Sequence, residues 1–393
     1  IGKWAFYNCS GLTGNLILPE TVIYIGSGAF SYCSGFTGEL AIPQNIIEIW
    51  PSSFSYCSGL TGNIVIPDGI MTIGDQAFMQ CSGLTGDLII PNGITSIGSG
   101  AFAWCSGLTS VVIPDSVTNI GSMAFSGCSG LTSITVQAGN SVYHTENNCL
   151  IETASKKLLQ GCNTSQIPSD GSIVSISTGA FTACSELTSI IIPESVTSIE
   201  GYVFANCSGL TSIIIPDSVI TMGDYVFSNC TNLTNAIIGN GITSIGYSVF
   251  GYCNSLESIT IPKSVKNIKL SAFQGCSQLE SIYYTGSIAE WCQIFFENEY
   301  ANPLYVGHNS QLYIDGEILS GDIIMEDNIS QIPSDMFQNS QITSIVLPNT
   351  IAAIKKYTFH NCSSLTSIVL PKSVTSIEYY AFAGCWNLAN VYY

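Results

Sequence analysis

A phenylalanine recurs at a nearly fixed interval along this chain, and no other feature restricts the fold as tightly. It stands at Phe6, Phe30, Phe54, Phe78, Phe102, Phe125, Phe181, Phe204, Phe227, Phe250, Phe273, Phe337, Phe359 and Phe382. The first five are 24 residues apart and most later ones 23. A period in this range marks a chain built from stacked copies of one small unit. A length of 393 residues would otherwise suggest two or three domains. A stack grows in one dimension and has no single core to outgrow. The expectation is one solenoid over residues 1–393, of about fourteen turns. Ile1 falls in mid-repeat and no signal peptide is visible, so the chain is expected to be a piece of a longer one.

The unit Ile97–Asn119 reads IGSGAFAWCSGLTSVVIPDSVTN. Val111 and Ile113 sit two apart and point to one face of a short strand, while Val112 points away. Pro114 ends the strand because it has no N–H to give. Val117 and Ile120 turn inward. Ala101 and Phe102 are expected in a tight helical or 3₁₀ turn whose ring fills the coil, and Cys105 and Leu108 lead back to the next strand. A lone turn buries too little apolar surface to offset the entropy of ordering its backbone. Stacked turns share faces and strand hydrogen bonds, so the array folds as an array, with parallel strands along one face. Early units carry an additional glycine, as in LTGNIVIP (Leu60–Pro67), where later ones read LTSIIIP (Leu210–Pro216).

Two stretches break the rhythm. From about 137 to 172, CLIETASKKLLQGC folds back around Ala154–Lys157, which predicts a β-hairpin protruding from the coil. From about 285 to 321, SIAEWCQIFF predicts a short helix and LYIDGEIL a hairpin with an Asp315-Gly316 turn. Insertions in a solenoid map to surface loops and often carry function.

The repeated pattern IGxxAFxxCxxLTSIxIPxSVTS covers nearly the whole chain and resembles the BspA-like leucine-rich-repeat family of bacterial and protozoan surface proteins. Both insertions, above all AEWCQIFFENEYANPLYVGHNSQLYIDGE, are similar to variants in gut-dwelling Gram-positive bacteria. The resemblance implies an α/β-type right-handed leucine-rich-repeat coil. One parallel sheet would line a face, short 3₁₀ or helical turns would lie opposite, and two hairpin-containing insertions would interrupt it. It also implies a secreted or cell-surface-attached, non-enzymatic protein, since the family has no shared catalytic motif. Some members bind host matrix proteins or other bacteria.

Charge narrows the partners. The formal net charge is −18 and all nine basic residues are lysines. Nucleic-acid binding usually needs a basic stripe with Arg forks, and anionic lipid needs a polybasic patch. Neither is present. No apolar run approaches the roughly 18 residues of a membrane span, so no membrane insertion is expected in this segment. The chain is read as a monomer whose partner is a protein or a glycan.

Thirteen of the 16 cysteines occupy the repeat position. In-register residues on successive turns lie roughly 4.8 Å apart with parallel Cα–Cβ bonds, whereas a disulfide needs Cβ atoms turned toward each other. A ladder of buried thiols follows. Cys149 and Cys162 face each other in the predicted hairpin, so a disulfide there stays open. Cys292 is read as a buried thiol. The chain lacks a CxxC pair for zinc, clustered acidic ligands for calcium, and a phosphate or dinucleotide loop. No metal or cofactor is expected. His144, His308 and His360 are far apart, and abundant serine makes any His–Ser proximity uninformative, so no catalytic residue is assigned. Asn-Cys-Ser/Thr at Asn8, Asn206, Asn229 and Asn361 is generated by the repeat itself.

Two surface features carry the binding expectation. The outward strand position forms an apolar stripe that includes Val65, Ile89, Val112, Ile191 and Ile214. Such a stripe suits a docking face, but β-branched residues also stack well in a sheet without any ligand. The position before the repeat cysteine holds Tyr32, Tyr56, Trp104 and Tyr252. These rings either supply contact area for protein or sugar or cover the edge of the neighbouring turn. A protein-binding sheet face, a glycan-binding aromatic set and a ligand-free spacer of a larger surface protein are the competing functions.

Overall fold

A computed structural model describes residues 1–307 and 310–393. His308 lies outside the described residues. Two compact units are formed, Ile1–Leu210 and Thr211–Tyr393. Both are built from the same coil, a β-solenoid repeat of about fifteen turns with little helix.

In the first unit the strands Gly86–Ile89, Leu108–Ile113 and Ser133–Val136 pair parallel, with Ile89 beside Val112 and Val112 beside Thr135. Earlier coils hold the same register through single bridges, Ile17 to Ala41 and Ala41 to Val65. A second parallel ladder follows the proline corner in the two-residue strands Glu48–Ile49, Thr72–Ile73, Ser96–Ile97 and Asn119–Ile120. The coils thus pair along this second ladder as well as along the one sheet expected. The segment after the corner keeps its N–H and C=O groups free for the next coil, and buried backbone groups must be paired.

The second unit repeats this plan. Ser212–Ile215, Asn235–Ile238, Ser258–Ile261, Ser281–Tyr284 and Gln311–Ile314 pair parallel in chain order. Ser320–Ile324, Gln341–Val346, Ser367–Val369 and Asn390–Tyr392 form a further parallel set.

The phenylalanine corner is a chain of tight turns. Around Phe30, the N–H groups of Ala29, Ser31 and Cys33 donate three residues back within the coil, to Gly26, Gly28 and Phe30. The intervening N–H groups of Gly28, Phe30 and Tyr32 donate to Pro51, Ser53 and Ser55 of the next coil. The in-coil bonds have 3₁₀ spacing, but left-handed residues two before and two after the ring interrupt any helix: φ is 63° at Gly28 and 62° at Tyr32. This alternation sends every second N–H out of the coil and stacks the rings in register. Phe30, Phe54, Phe78 and Phe102 lie 5.3–5.7 Å apart between centroids and nearly parallel.

The repeat cysteine completes the corner. Its N–H and the thiol of the following coil converge on one carbonyl: Phe30 O accepts from Cys33 N at 3.1 Å and from Cys57 Sγ at 3.1 Å. The pattern recurs at Cys81, Cys105 and Cys128 and, in the second unit, at Cys253 and Cys276. A thiol fits here because the pocket is apolar and the carbonyl still has one lone pair to offer. Cys149 and Cys162 are buried thiols, not a disulfide. Cys149 Sγ donates to Gln166 O at 3.5 Å.

The additional glycine of the early units has a specific task. Gly62, at φ 77°, bridges Leu84 of the next coil. A Cβ there would sit 2.6 Å from Glu39 Cγ. Left-handed φ and a close neighbour both exclude a side chain. Gly62→Ala should cost about 1–2 kcal/mol, read as a lowered urea midpoint at unchanged m-value.

The first insertion is an antiparallel meander, Tyr143–Glu146, Cys149–Glu152 and Lys157–Gln160. Contrary to the protruding hairpin expected, it re-enters the coil: Lys157–Gln160 pairs parallel with Ser175–Ile176, and Leu150, Ile151 and Leu158 are buried. Gly161 takes the ring position, since its N–H donates to Ala180 O and Phe181 fills the space a Cβ would need. The second insertion contains a hidden coil. After the helix Ile288–Trp291, closed by a Ser287–Glu290 capping box, Phe295–Phe296 pairs parallel with Asn267–Ile268. Phe273 N donates to Tyr300 O, which puts Ala301 where the ring should stand. Gln311–Ile314 and Glu317–Ile318 pair antiparallel across Asp315 and Gly316, both left-handed.

Candidate binding surfaces

The sheet face of the first unit presents its outward row to solvent. Val65 is 63% and Ile89 61% exposed, while Val112 is half-buried. A row of polar residues two positions earlier runs beside them, Asn15, Glu39, Asn63, Asp87 and Ser110. Asp87 accepts from Thr109 Oγ1 and Ser110 Oγ of the next coil. Ile191, past the first insertion, is 81% exposed. Ile214 belongs to the second unit, exposed and in register with Ile237. In the first unit the predicted stripe follows the register of Ala41 with Val65 and of Ile89 with Val112. Sequence reasoning missed a second exposed row, Ile23, Ile47 and Met71, on the ladder after the proline corner. The same period of 24 could have found it.

The predicted aromatics all have left-handed backbone. Tyr32 and Tyr56 stack at 4.2 Å with an interplanar angle of 7°. Trp104 is half-buried and lies over Gly127, where a Cβ would come within 2.5 Å of its ring. Tyr252 lies over Gly275 in the same way. At these two places a ring on one coil meets a bare glycine on the next, so these two rings cover the neighbouring turn.

A cleft that sequence reasoning did not foresee lies in the second unit. A cavity of about 540 Å³ opens between Ile294–Asn302 of the second insertion and residues 331–335 and 355–356. A neighbouring cavity of about 390 Å³, lined by Tyr305, Gln338, Tyr357 and His360, shares Tyr300 and Asp335 with it. Asn302 fixes the insertion, donating from Nδ2 to Ser334 O at 2.9 Å and capping Leu304 N with Oδ1. Lys356 Nζ donates to Glu299 at 2.7 Å and stands 5.2 Å over the Tyr305 ring. That bond holds the Glu299 carboxyl below its usual range and Lys356 above its own.

Asp335 occupies the left-handed position two before Phe337, at φ 65°. The residue is 3% exposed, and its carboxyl accepts no hydrogen bond from the described residues. Burial pushes its pKa up to about 7, with Lys356 opposing and Glu299 adding to the shift. Asp335 lines both cavities, where a group entering from the cleft can donate to its carboxyl. Little in the sequence signals this cluster, since Glu299 lies in the second insertion while Asp335, Lys355 and Lys356 lie in later coils.

Among the described residues no helix is long and apolar enough to cross a membrane.

Parallel in-register strands, a buried ring stack and a cysteine ladder define a leucine-rich-repeat solenoid. The chain belongs to the BspA type leucine rich repeat family, whose pattern matches residues 1–86, 60–171, 174–302 and 319–393. It is similar to a leucine-rich repeat protein from Bacteroides ovatus, at 28% identity and TM-score 0.51, over 100% of this chain and 81% of that one. It is also similar to a leucine rich cell surface protein from Faecalibacterium prausnitzii, at 29% identity and TM-score 0.55, over 76% of this chain and 86% of that one. No curated protein matches it.

Proposed function

We propose that this chain is a non-enzymatic, surface-located interaction module that binds a protein through the strand face of its first unit. Both units are read as parts of one repeat array, residues 1–393. The observation that carries the reading is the outward row of exposed Val65 and Ile89 and half-buried Val112 beside the polar row. Apolar centre and hydrogen-bonding border are the anatomy of a protein interface. The carboxylates of Glu39 and Asp87 and the net charge of −18 suit a partner whose own apolar patch is rimmed by basic residues. The surface location is supported by the similar Faecalibacterium protein, described as a cell surface protein.

The test is binding of the purified chain to immobilised fibronectin, fibrinogen, laminin and mucin. Val65→Lys, Ile89→Lys and Val112→Lys together should weaken a saturable interaction at least about a hundredfold, since central interface residues carry most binding energy. The melting temperature should move little, because these side chains point away from the core. Unchanged affinity in the triple variant would sink the reading.

A further inference from the structure

We propose that the cleft between the second insertion and the coil around Phe337 is a binding site for a neutral oligosaccharide, independent of the sheet face. Its volume of about 540 Å³ falls in the range of small-molecule sites, roughly 300–1,000 Å³. The Asp335 carboxyl lines both cavities and accepts no hydrogen bond from the described residues, so the hydroxyl groups of a bound ligand can donate to it. Phe295 and Tyr300 are exposed and line the same cavity, giving apolar ring faces for the C–H faces of a pyranose. The wall charges balance within the site. Glu299 is paired with Lys356, so a cation would meet Lys355 and Lys356, and an anion would meet Glu299 and Asp335. An uncharged polyol meets neither penalty. The Asn302 bond to Ser334 ties the insertion to the opposite wall, so the cleft is formed before any ligand arrives.

The experiment titrates the full chain at pH 8 with maltotriose, cellotriose, mannotriose and N-acetyllactosamine by calorimetry. At least one should bind saturably at a single site. Phe295→Ala and Asp335→Asn should each weaken that binding about tenfold or more, with melting temperatures showing that both variants fold. Tyr56→Ala and Val65→Lys should leave it unchanged. No saturable binding by any of the four sugars overturns the proposal. So does binding that ignores both cleft variants, or that is lost on Tyr56→Ala. Because Val65→Lys belongs to the sheet face, failure here and failure of the protein-binding reading are read from different variants.

Discussion

Between about pH 9 and pH 12 the folded chain should lose several kcal/mol of stability for each unit of pH. Burial pushes the thiols of Cys57, Cys128, Cys149, Cys276 and Cys292 up to about 12 from the usual 9.0, and raises those of Cys81, Cys105 and Cys253 well above it. The sign follows from proton counting. The unfolded chain releases these protons as pH passes about 9, while the folded chain keeps them until about 12. In that window the folded state holds more protons, so alkali favours unfolding. Below pH 9 both states are protonated and the thiols cost nothing. Each thiol contributes about 1.4 kcal/mol per pH unit, so five alone consume a typical reserve of 5–15 kcal/mol within one to two units. Circular dichroism in moderate urea from pH 8 to 11 measures it. Cys57→Ala, Cys81→Ala and Cys105→Ala together should flatten the slope by about three protons, at some loss of neutral-pH stability as each thiol–carbonyl bond disappears. A native state that keeps its urea midpoint unchanged up to pH 11 would show that the ladder is open to solvent. The buried thiols of Cys57, Cys81, Cys105 and Cys128 should likewise resist thiol reagents, because the thiolate is the nucleophile.

That ladder was legible in the sequence because the coil repeats at a fixed interval. Once Phe and Cys recur together, stacking and burial follow from geometry. Legibility fails where an insertion changes both the spacing and the residue: Ala301 follows Phe273 by 28 residues and Gly161 precedes Phe181 by 20. Ala301 holds a ring position and Phe295–Phe296 a ladder position, yet neither matches the repeat pattern, so the coil inside the second insertion was read as helix and hairpin alone. Gly161 hides the returning strand of the first insertion in the same way. The outward rows were legible in part. Alternation told which side Val112 faces, but not that Val112 is half-buried while Val65 and Ile89 are exposed, because that depends on side chains of neighbouring coils. Trp104 was ambiguous for a related reason: its covering role needs Gly127 directly above it, a contact 23 residues away. The cleft was least legible. Glu299 and Lys356 are 57 residues apart in sequence, and only the insertion brings them to 2.7 Å.

Asp335→Asn should stabilise the protein at pH 8 by several kcal/mol while changing it little at pH 4. The Asp335 carboxyl stands at about 7 in the folded chain, against the usual 3.8. Because its folded pKa is raised, the folded state holds this proton more tightly than the unfolded state. The stability this confers is complete below about pH 4, is lost as pH rises toward 7, and stays lost above it. The span corresponds to about 4 kcal/mol. Asparagine does not ionise, so the variant escapes that loss. It is also comfortable at the left-handed φ of 65°, which adds a smaller gain at every pH. The two contributions separate cleanly: urea unfolding at pH 4 reads the backbone part, and the difference between pH 8 and pH 4 reads the carboxyl. A residue that costs this much where asparagine would fit is the pattern of a position kept for a task other than folding. An equal gain at both pH values would mean that the carboxyl ionises normally, with donors already in place, and the strongest reason for a hydroxyl-rich ligand in the cleft would be gone. A gain confined to high pH, abolished when a bound sugar stabilises the parent but not the variant, would tie the cost of Asp335 directly to its ligand.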